Sequence, residues 1–318
     1  MSTKSKVFPA KILLFGEYTI LMGSLALSIP YHAFTATLAF PDNVEPASSR
    51  KQVTSNLHLF EFYQYLAGQG DYFSQIIDFE RFHKDLVQGM FLQSTIPAGY
   101  GLGSSGALVA AVFERFARHL PSKDEIATDE GMLRLKTIFS EMESFFHGKS
   151  SGFDPSVSFL KRPLLLGQDG VPELTNLPHA FSAAGSGIFL LDTGQTGKTA
   201  PLVKLFLERF KPEGKITEEG EALIKMIDKL VNSFLDFSDY QFWELMKKFS
   251  LKQTKEFKPM IPENIISLWL EGIESRLYYL KLCGSGGGGF LAGFAPDLKK
   301  ATEFLQKKDY YPVVVPVK

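Results

Sequence analysis

The sequence predicts a mixed fold of α-helices and β-strands that is divided into two domains. The chain has 318 residues, which is about twice the usual size of a single domain. Short apolar runs bounded by turn residues, such as residues 11–15 and 186–193, are typical of strands. Longer segments with a helical spacing of apolar residues, such as residues 129–147, are typical of helices. The best boundary is the small-residue segment near residue 185, so we expect domains at 1–185 and 186–318.

The composition is that of a globular protein without a strong charge bias. A hydrophobic fraction of 45% and a charged fraction of 22% exclude wholesale disorder and fibrous repeats. The 34 Lys and Arg residues nearly balance the 35 Asp and Glu residues, so nothing in the net charge favours nucleic acid or an anionic membrane as a partner. The single cysteine, Cys283, excludes an intrachain disulfide and a Cys-rich zinc site. No apolar run is long enough to cross a bilayer, and we expect a cytoplasmic protein, either a monomer or a homodimer.

The elements of the first predicted domain alternate between strands, loops and helices. In chain order they are strand–turn–strand over 7–40, an exposed polar loop over 41–56, a short helix over 57–70, a strand over 91–97, a glycine-rich turn over 97–106, a buried helix over 107–120, an amphipathic helix over 129–147 that ends at Gly148, and a loop over 150–167 that leads into strands.

The second predicted domain is richer in helices. Its elements are a strand over 186–193, helices over 217–237, 239–251 and 262–276, a strand–turn–strand over 279–294 with a glycine-rich turn, a helix over 297–307, and a final short strand over 310–317. The 29 phenylalanines of the chain mostly have strand or helix spacing, which favours a role in core packing.

One glycine-rich segment, Gly101-Leu102-Gly103-Ser104-Ser105-Gly106, lies between a predicted strand and a strongly apolar helix. Glycines let the backbone approach a ligand closely, and the start of a helix offers free N–H groups and a positive dipole end to an anion. The serine hydroxyls add groups that bind phosphate oxygens or Mg²⁺. The segment predicts a phosphate site, although a serine N-cap on an ordinary helix would give a similar pattern.

Two other readings of glycine-rich segments are possible. Residues 101–106 match G-x-G-x-x-G, and Asp124 or Glu125 would be the ribose-binding acid of an NAD(P)-binding oxidoreductase. That interpretation is weakened by residues 97–100, which separate the strand from the first glycine.

Residues 192–199 nearly match a Walker A loop, but Asp192 stands where the pattern needs glycine and would repel phosphate.

Taken together, three segments of the chain resemble the motifs of the GHMP kinase superfamily. Residues 9–18 (PAKILLFGEY) resemble P-G-K-[VI]-x-L-x-G-E-[HY], residues 97–105 (PAGYGLGSS) resemble P-x-G-x-G-L-G-S-S-A, and residues 281–289 (KLCGSGGGG) resemble K-L-T-G-A-G-G-G-G. Two more segments are similar to those of the mevalonate kinases within this superfamily. Residues 143–154 (ESFFHGKSSGFD) resemble E-x-x-x-H-G-x-x-S-G-[IV]-D, and residues 191–203 (LDTGQTGKTAPLV) resemble D-T-x-x-x-R-S-T-x-x-L-V.

The resemblance implies an α+β fold in two halves, with ATP and a small-molecule acceptor bound between them. The N-terminal half would be similar to ribosomal protein S5 domain 2 and would bind ATP, and the C-terminal half would be ferredoxin-like. The implied reaction is transfer of the γ-phosphate of ATP to the hydroxyl of a mevalonate-like hydroxy acid, with Mg²⁺ as cofactor. Nucleic acid and membrane partners are not expected.

The resemblance also assigns a role to each matched residue. Asp154 would accept or orient the proton of the acceptor hydroxyl, and Lys11 would pair with it. The remaining assignments are the phosphate-binding residues Gly101, Leu102, Gly103, Ser104, Ser105 and Gly106, the metal ligands Ser105 and Glu143, the substrate-binding residues Glu17, Tyr18 and Thr199, and the loop-supporting residues Gly284, Gly286 and Gly287.

Three departures from the family patterns keep alternatives open. Ala10 replaces a glycine, Gly106 replaces an alanine, and Gly197 stands where the mevalonate kinases often carry an arginine that would suit an anionic substrate. Lys198 or another basic residue could replace that charge. The alternatives are a phosphomevalonate kinase or another small-molecule kinase of the superfamily, a non-catalytic protein with this fold, and the NAD(P)-binding oxidoreductase.

Overall fold

The computed structural model describes residues 6–41, 49–196 and 199–317. Within these ranges the α+β class is confirmed, with nine strands and thirteen α-helices. The strands are β1 (Phe8–Phe15), β2 (Ala26–Ala39), β3 (Phe91–Ser94), β4 (Leu164–Leu166), β5 (Pro172–Leu174), β6 (Gly187–Asp192), β7 (Tyr279–Leu282), β8 (Phe290–Ala295) and β9 (Val313–Val315). The helices are α1 (Ser49–Ala67), α2 (Asp71–Ser74), α3 (Phe79–Val87), α4 (Ser104–Phe116), α5 (Lys123–Ile126), α6 (Asp129–His147), α7 (Phe153–Leu160), α8 (His179–Ala183), α9 (Thr199–Phe210), α10 (Glu218–Leu235), α11 (Asp239–Glu256), α12 (Glu263–Ser275) and α13 (Leu298–Gln306).

The first sheet is antiparallel and is organised by the long strand β2. One edge of β2 pairs with β1, while its other edge pairs with β4 near the start of β2 and with β3 near its end. β5 extends the sheet by pairing with β4. All eight residues of β1 are buried, because α4 and α7 pack on β1 and β2 while α10 also contacts both strands.

The second sheet is also antiparallel, in the order β7-β8-β6-β9. Its four strands follow residue 185 in the chain, and the five strands of the first sheet precede it. The division into domains at residue 185 stays a prediction, since one continuous hydrophobic core includes residues from both halves. Phe15 at the end of β1 shows the connection: its ring lies 5.6 Å from that of Phe234 on α10 and 5.2 Å from that of Phe294 on β8.

Several helices begin where their sequences predict. The Thr128 hydroxyl accepts a hydrogen bond from the N–H of Gly131 at the start of α6, and the Thr217 hydroxyl accepts one from Gly220 at the start of α10. Both helices carry acidic residues in the first turn, where the helix dipole favours them. In the described part of the chain, no helix is both long and apolar enough to span a membrane.

Two predicted loops are helical. The loop prediction for 41–56 is wrong over 49–56, which form the first turns of α1; residues 42–48 lie outside the described residues. The polar residues there make specific contacts, since Asn56 donates to the carbonyls of Leu86 and Met90 and Ser55 exchanges hydrogen bonds with Leu92. The loop prediction for 150–167 is wrong over 153–160, which form α7, because Pro155 lies within the first turn, where proline is tolerated.

Candidate active site

The predicted phosphate loop leads into the N-terminus of α4. Gly101 and Gly103 have φ values of 76° and 71°, a region that glycine enters without a steric cost. The alternative interpretation, an ordinary helix with a serine N-cap, is wrong, because the cap residue is Gly103 and no cap side chain bonds the helix start. The N–H groups of the first turn are therefore not bonded by a cap side chain, as an anion site at a helix start requires.

The NAD(P)-binding interpretation is wrong in its structural context. The glycine loop follows β3, which pairs antiparallel with β2, whereas the dinucleotide fingerprint belongs to a parallel βαβ unit. Glu125 closes a capping box with Ser122 at the start of α5, so it acts as a helix-capping residue.

Lys11 and Asp154 form an ion pair beside this loop. The ammonium nitrogen of Lys11 lies 3.0 Å from Oδ2 of Asp154, and the two side chains are 5% and 30% exposed. The backbone N–H of Lys11 donates to the carbonyl of Leu102 at 2.9 Å, which ties β1 to the glycine loop. Burial is the largest single effect and would lower the pKa of Lys11, but the surrounding negative groups, Asp154 first among them, together hold that pKa above its ordinary value. The lysine is therefore a fixed cation at the start of α7.

Glu143 on α6 lies next to Ser105 on α4. The Ser105 hydroxyl donates to Oε1 of Glu143 at 2.9 Å, and the Ser150 hydroxyl donates to Oε2 at 2.5 Å. Burial, together with the negative charge of Asp154, raises the pKa of Glu143 to about 7. The cluster fits a Mg²⁺ ion, which prefers oxygen ligands and few protein groups, because a cation there would compensate a buried carboxylate.

Gly106 explains one departure from the family pattern. A Cβ atom at this position would lie 2.9 Å from the carbonyl carbon of Asp154 and 2.9 Å from the nitrogen of Pro155. Both are backbone atoms, so they cannot move aside cheaply. The glycine therefore lets α4 approach the start of α7 closely and keeps Asp154 next to the phosphate loop.

Glu17 pairs with Lys281 in the interior. Their side chains are 1% and 0% exposed, and the lysine also donates to the carbonyls of Leu13 and Leu282. Burial raises the pKa of Glu17 above its ordinary value, although the charge of Lys281 opposes the shift. Oε2 of Glu17 has no hydrogen-bond partner among the described residues, so this predicted substrate-binding carboxylate keeps one acceptor atom.

The glycine-rich turn over 284–289 packs against the phosphate loop. A Cβ atom on Gly101 would lie 2.2 Å from the carbonyl oxygen of Cys283, and one on Gly284 would lie 2.8 Å from Cα of Gly101. A Cβ atom on Gly289 would lie 2.5 Å from Cα of Tyr100. These contacts require glycine because backbone meets backbone.

The other two glycines predicted to support the loop lie elsewhere in the turn. A Cβ atom on Gly286 would lie 2.6 Å from the carbonyl oxygen of Met260, and the N–H of Gly287 donates to that same oxygen. Gly284 is therefore the predicted support residue that contacts the phosphate loop directly.

Tyr18 bridges the two halves of the chain. Its hydroxyl donates to the carbonyl of Ser285, and its ring stacks on Phe206 of α9 at 4.8 Å. Its φ of 64° is uncommon for a residue other than glycine. The hydroxyl of Tyr18, a predicted substrate-binding residue, thus donates its hydrogen bond to the glycine-rich turn and not to a ligand.

Six of the predicted site residues line one cavity of about 1060 Å³: Lys11, Glu17, Tyr18, Glu143, Asp154 and Gly284. Much of its remaining wall is apolar, formed by Leu13, Ile20, Leu21, Phe146, Phe153, Val203 and Leu207. The ion pair and the Glu143 carboxylate therefore face a common space with apolar sides.

Residues 192–194 of the segment that nearly matches a Walker A loop are hydrogen-bonded within the protein. Oδ1 of Asp192 accepts a hydrogen bond from the N–H of Gly194 at 2.8 Å, and Thr193 donates from its N–H to the carbonyl of Gly289. Gly197 and Lys198 lie outside the described residues. The backbone of Thr199 begins α9, while its predicted contact with substrate stays a prediction.

Comparison with known proteins agrees with this geometry. Residues 71–162 match the GHMP kinases N terminal domain. The predicted resemblance to the GHMP kinase superfamily is confirmed. A mevalonate kinase of Pyrococcus abyssi is 25% identical over 313 residues, which cover 92% of this chain and 88% of that protein.

Solved structures confirm the GHMP kinase fold. Mevalonate kinase of Methanococcus jannaschii has a TM-score of 0.63 at 18% identity, covering 100% of this chain and 99% of its own. Galactokinase of Lactococcus lactis complexed with galactose has a TM-score of 0.66 at 14% identity, covering 100% and 95%. Because enzymes with different names match equally well, the likeness of fold does not select a substrate.

Motif matching to the GHMP kinases missed two residues of the site. Ser150 stands in a Gly/Ser-rich segment, and nothing in the sequence separates it from a turn residue. Lys281 opens the third motif, but its partner Glu17 lies 264 positions earlier in the chain. The one sequence signal for this pair is that Glu17 and Lys281 carry opposite charges and lie in two motifs that belong to the same site.

We predict that Lys281→Met destabilises the protein by about 3–5 kcal/mol, because it leaves Glu17 as a buried charge without a partner. Urea unfolding followed by circular dichroism measures the effect. Lys300→Met is the matched control, since Lys300 pairs with Asp297 at the surface with side chains 71% and 44% exposed, and it should leave the midpoint unchanged. Adding Glu17→Gln to Lys281→Met should recover part of the loss. Equal midpoints for the two lysine variants would contradict the proposed importance of the buried pair.

Proposed function

We propose that this protein is an ATP-dependent kinase that phosphorylates the primary hydroxyl of a small hydroxy acid, with mevalonate as the favoured acceptor. The observation that carries the proposal is the Lys11–Asp154 ion pair, at 3.0 Å, facing the same cavity as Glu143. The relatives named mevalonate kinase, such as that of Pyrococcus abyssi, align over 92% of the chain and support the choice of acceptor.

Phosphoryl transfer depends mainly on positioning and on neutralising charge. In the proposal, the N–H groups at the start of α4 hold the phosphates of ATP, because no side chain caps that helix and its dipole favours an anion. Gly101 and Gly103 allow the backbone to approach the phosphates closely.

Glu143 and Ser105 would hold Mg²⁺, which neutralises phosphate charge when it is bound. Ser150 keeps the Glu143 carboxylate oriented by donating to its second oxygen. The raised pKa of Glu143, caused first by burial, describes the protein without a cation. A cation beside the carboxylate favours its ionised form, so this residue would be charged in the working enzyme.

Asp154 is the group that would meet the acceptor hydroxyl. Its side chain is 30% exposed, whereas that of Lys11 is 5% exposed, so the carboxylate faces the cavity and the lysine supports it from the interior. The ammonium group of Lys11 holds the Asp154 carboxylate in position, where it can accept or orient the hydroxyl proton. The apolar walls of the cavity suit the methyl and methylene groups of the acceptor.

We expect Asp154→Asn to lower kcat by about 10²- to 10⁴-fold, the usual contribution of a general acid–base group, while the KM for ATP changes little. The reason is that Asp154 meets the acceptor, whereas the N-terminus of α4 meets the nucleotide. Steady-state kinetics with coupled detection of ADP measures both constants. A variant that turns over at the parent rate would remove Asp154 from the reaction.

Gly106→Ala should also lower kcat, although alanine is the residue the family pattern favours at this position. The new Cβ atom would lie 2.9 Å from two backbone atoms at the start of α7 and would displace Asp154. A misplacement of about 1 Å costs roughly 10²-fold in rate. Thermal unfolding checks that the variant is folded. An unchanged kcat in a folded variant would contradict the inference that close packing of α4 on α7 positions Asp154.

The acceptor is tested by kcat/KM for mevalonate beside phosphomevalonate, homoserine and a panel of sugars, with ATP and Mg²⁺. We expect the highest value for mevalonate. A higher value for phosphomevalonate would assign the protein to the second kinase type instead. Equal values for all acceptors would reject mevalonate while leaving the class of small-molecule kinase in place.

A further inference from the structure

Four lysines line the cavity that contains the Lys11–Asp154 pair: Lys11, Lys149, Lys204 and Lys211. Three of them have partners. Lys11 pairs with Asp154, Lys204 lies 3.7 Å from Glu208, and Lys211 donates to the carbonyl of Leu21 at 3.1 Å. Among the described residues, Lys149 has no hydrogen bond or ion pair. Lys211 keeps its charge because a carbonyl is neutral, but its ammonium group is held by Leu21, whereas that of Lys149 is held by no described group and can turn to a ligand.

The backbone that carries Lys149 is held in place. The carbonyl of Ser150 accepts a hydrogen bond from the Ser140 hydroxyl at 2.6 Å, and the Ser150 hydroxyl donates to Glu143 and accepts from the N–H of Gly152. A Cβ atom on Gly152 would lie 2.1 Å from the carbonyl oxygen of Lys136, so this turn also packs closely against α6. The flexible stem of Lys149 thus extends from a fixed point next to the catalytic groups.

The charges around the cavity leave a role for such a cation. Lys281 compensates Glu17, and Lys11 compensates Asp154. An acceptor that carries a carboxylate would still enter a cavity bordered by Glu143 and Glu213, neither of which has an ion-pair partner among the described residues. The apolar walls screen these charges poorly, since low-dielectric surroundings strengthen electrostatic interactions. An anionic acceptor therefore needs a cation that is not already paired.

We propose that Lys149 binds the carboxylate of the acceptor while Asp154 meets its hydroxyl. This inference rests on the proposed function and adds the group that selects hydroxy acids over neutral alcohols. Lys149 is then a specificity-determining residue. It supplies the positive charge that the sequence lacks at Gly197.

The test compares mevalonate with its neutral methyl ester in the parent, Lys149→Gln, Lys149→Arg and Lys204→Gln. We expect Lys149→Gln to raise the KM for mevalonate about tenfold, the effect of losing one charge-assisted contact. The KM values for the ester and for ATP should not change. Lys149→Arg should restore most of the affinity. Lys204→Gln, which removes a paired lysine from the same cavity, should have a much smaller effect.

Several outcomes would overturn the inference. They are an unchanged KM for mevalonate in Lys149→Gln, an equal rise for the acid and the ester, an equal rise in Lys204→Gln, and a rise confined to the KM for ATP. Any of these, with mevalonate still phosphorylated, leaves the proposed function intact.

Calorimetry with a non-hydrolysable ATP analogue separates the two proposals. Binding of mevalonate that depends on Lys149, without turnover in the parent, would support the role of Lys149 and reject the proposed activity. If the parent neither binds nor phosphorylates mevalonate, both proposals fail.

Discussion

The buried ammonium group of Lys281 is the contact on which the rest of the site depends. It donates to the carbonyls of Leu13 and Leu282 and to the carboxylate of Glu17, which uses all three of its N–H donors. Because the side chain is fully buried, it cannot exchange these partners for water. The end of β1 is thereby fixed relative to β7, and so is the glycine-rich turn that begins at Gly284. That turn packs on Gly101, so the position of the phosphate loop follows from the same contact.

The acidic residues of the cavity differ in how their charge is balanced. Glu17 has Lys281, and Asp154 has Lys11. Glu143 is bonded by two serine hydroxyls, which contribute dipoles but no charge. Burial and the negative charge of Asp154 raise the pKa of Glu143 to about 7, and because no cation among the described residues is paired with it, Glu143 is the carboxylate at which an added cation gains the most. In the proposed function, Lys11 is thus a fixed cation where the acceptor would bind, and the charge of Glu143 would be balanced by Mg²⁺.

Motif matching could predict the principal site residues because the chemistry restricts residue type at short spacings. Lys11, Ser105, Glu143 and Asp154 were predicted, and the structure brings them together. Local pattern could not predict α7, whose glycine and proline residues resemble those of a loop, or residues 49–56, whose polar side chains bond to distant backbone groups. The close packing of Gly106 on Asp154 also could not be predicted from the sequence, because it depends on the distance between α4 and α7 and not on the residues of either helix alone.

The two glycine-rich segments that resemble nucleotide-binding loops show what a pattern leaves undetermined. Both contain glycine beside small polar residues, and both follow a strand. In residues 192–195 the Asp192 side chain and the carbonyl of Gly289 already accept the backbone N–H groups of Gly194 and Thr193. At the start of α4 the cap residue is Gly103, which has no side chain to accept those of the first turn. A phosphate can compete only for donors that the protein does not use, because a bonded N–H group would have to lose its partner first. The distinguishing property is therefore which backbone donors the protein already bonds, and tertiary contacts such as that between Thr193 and the glycine-rich turn decide this.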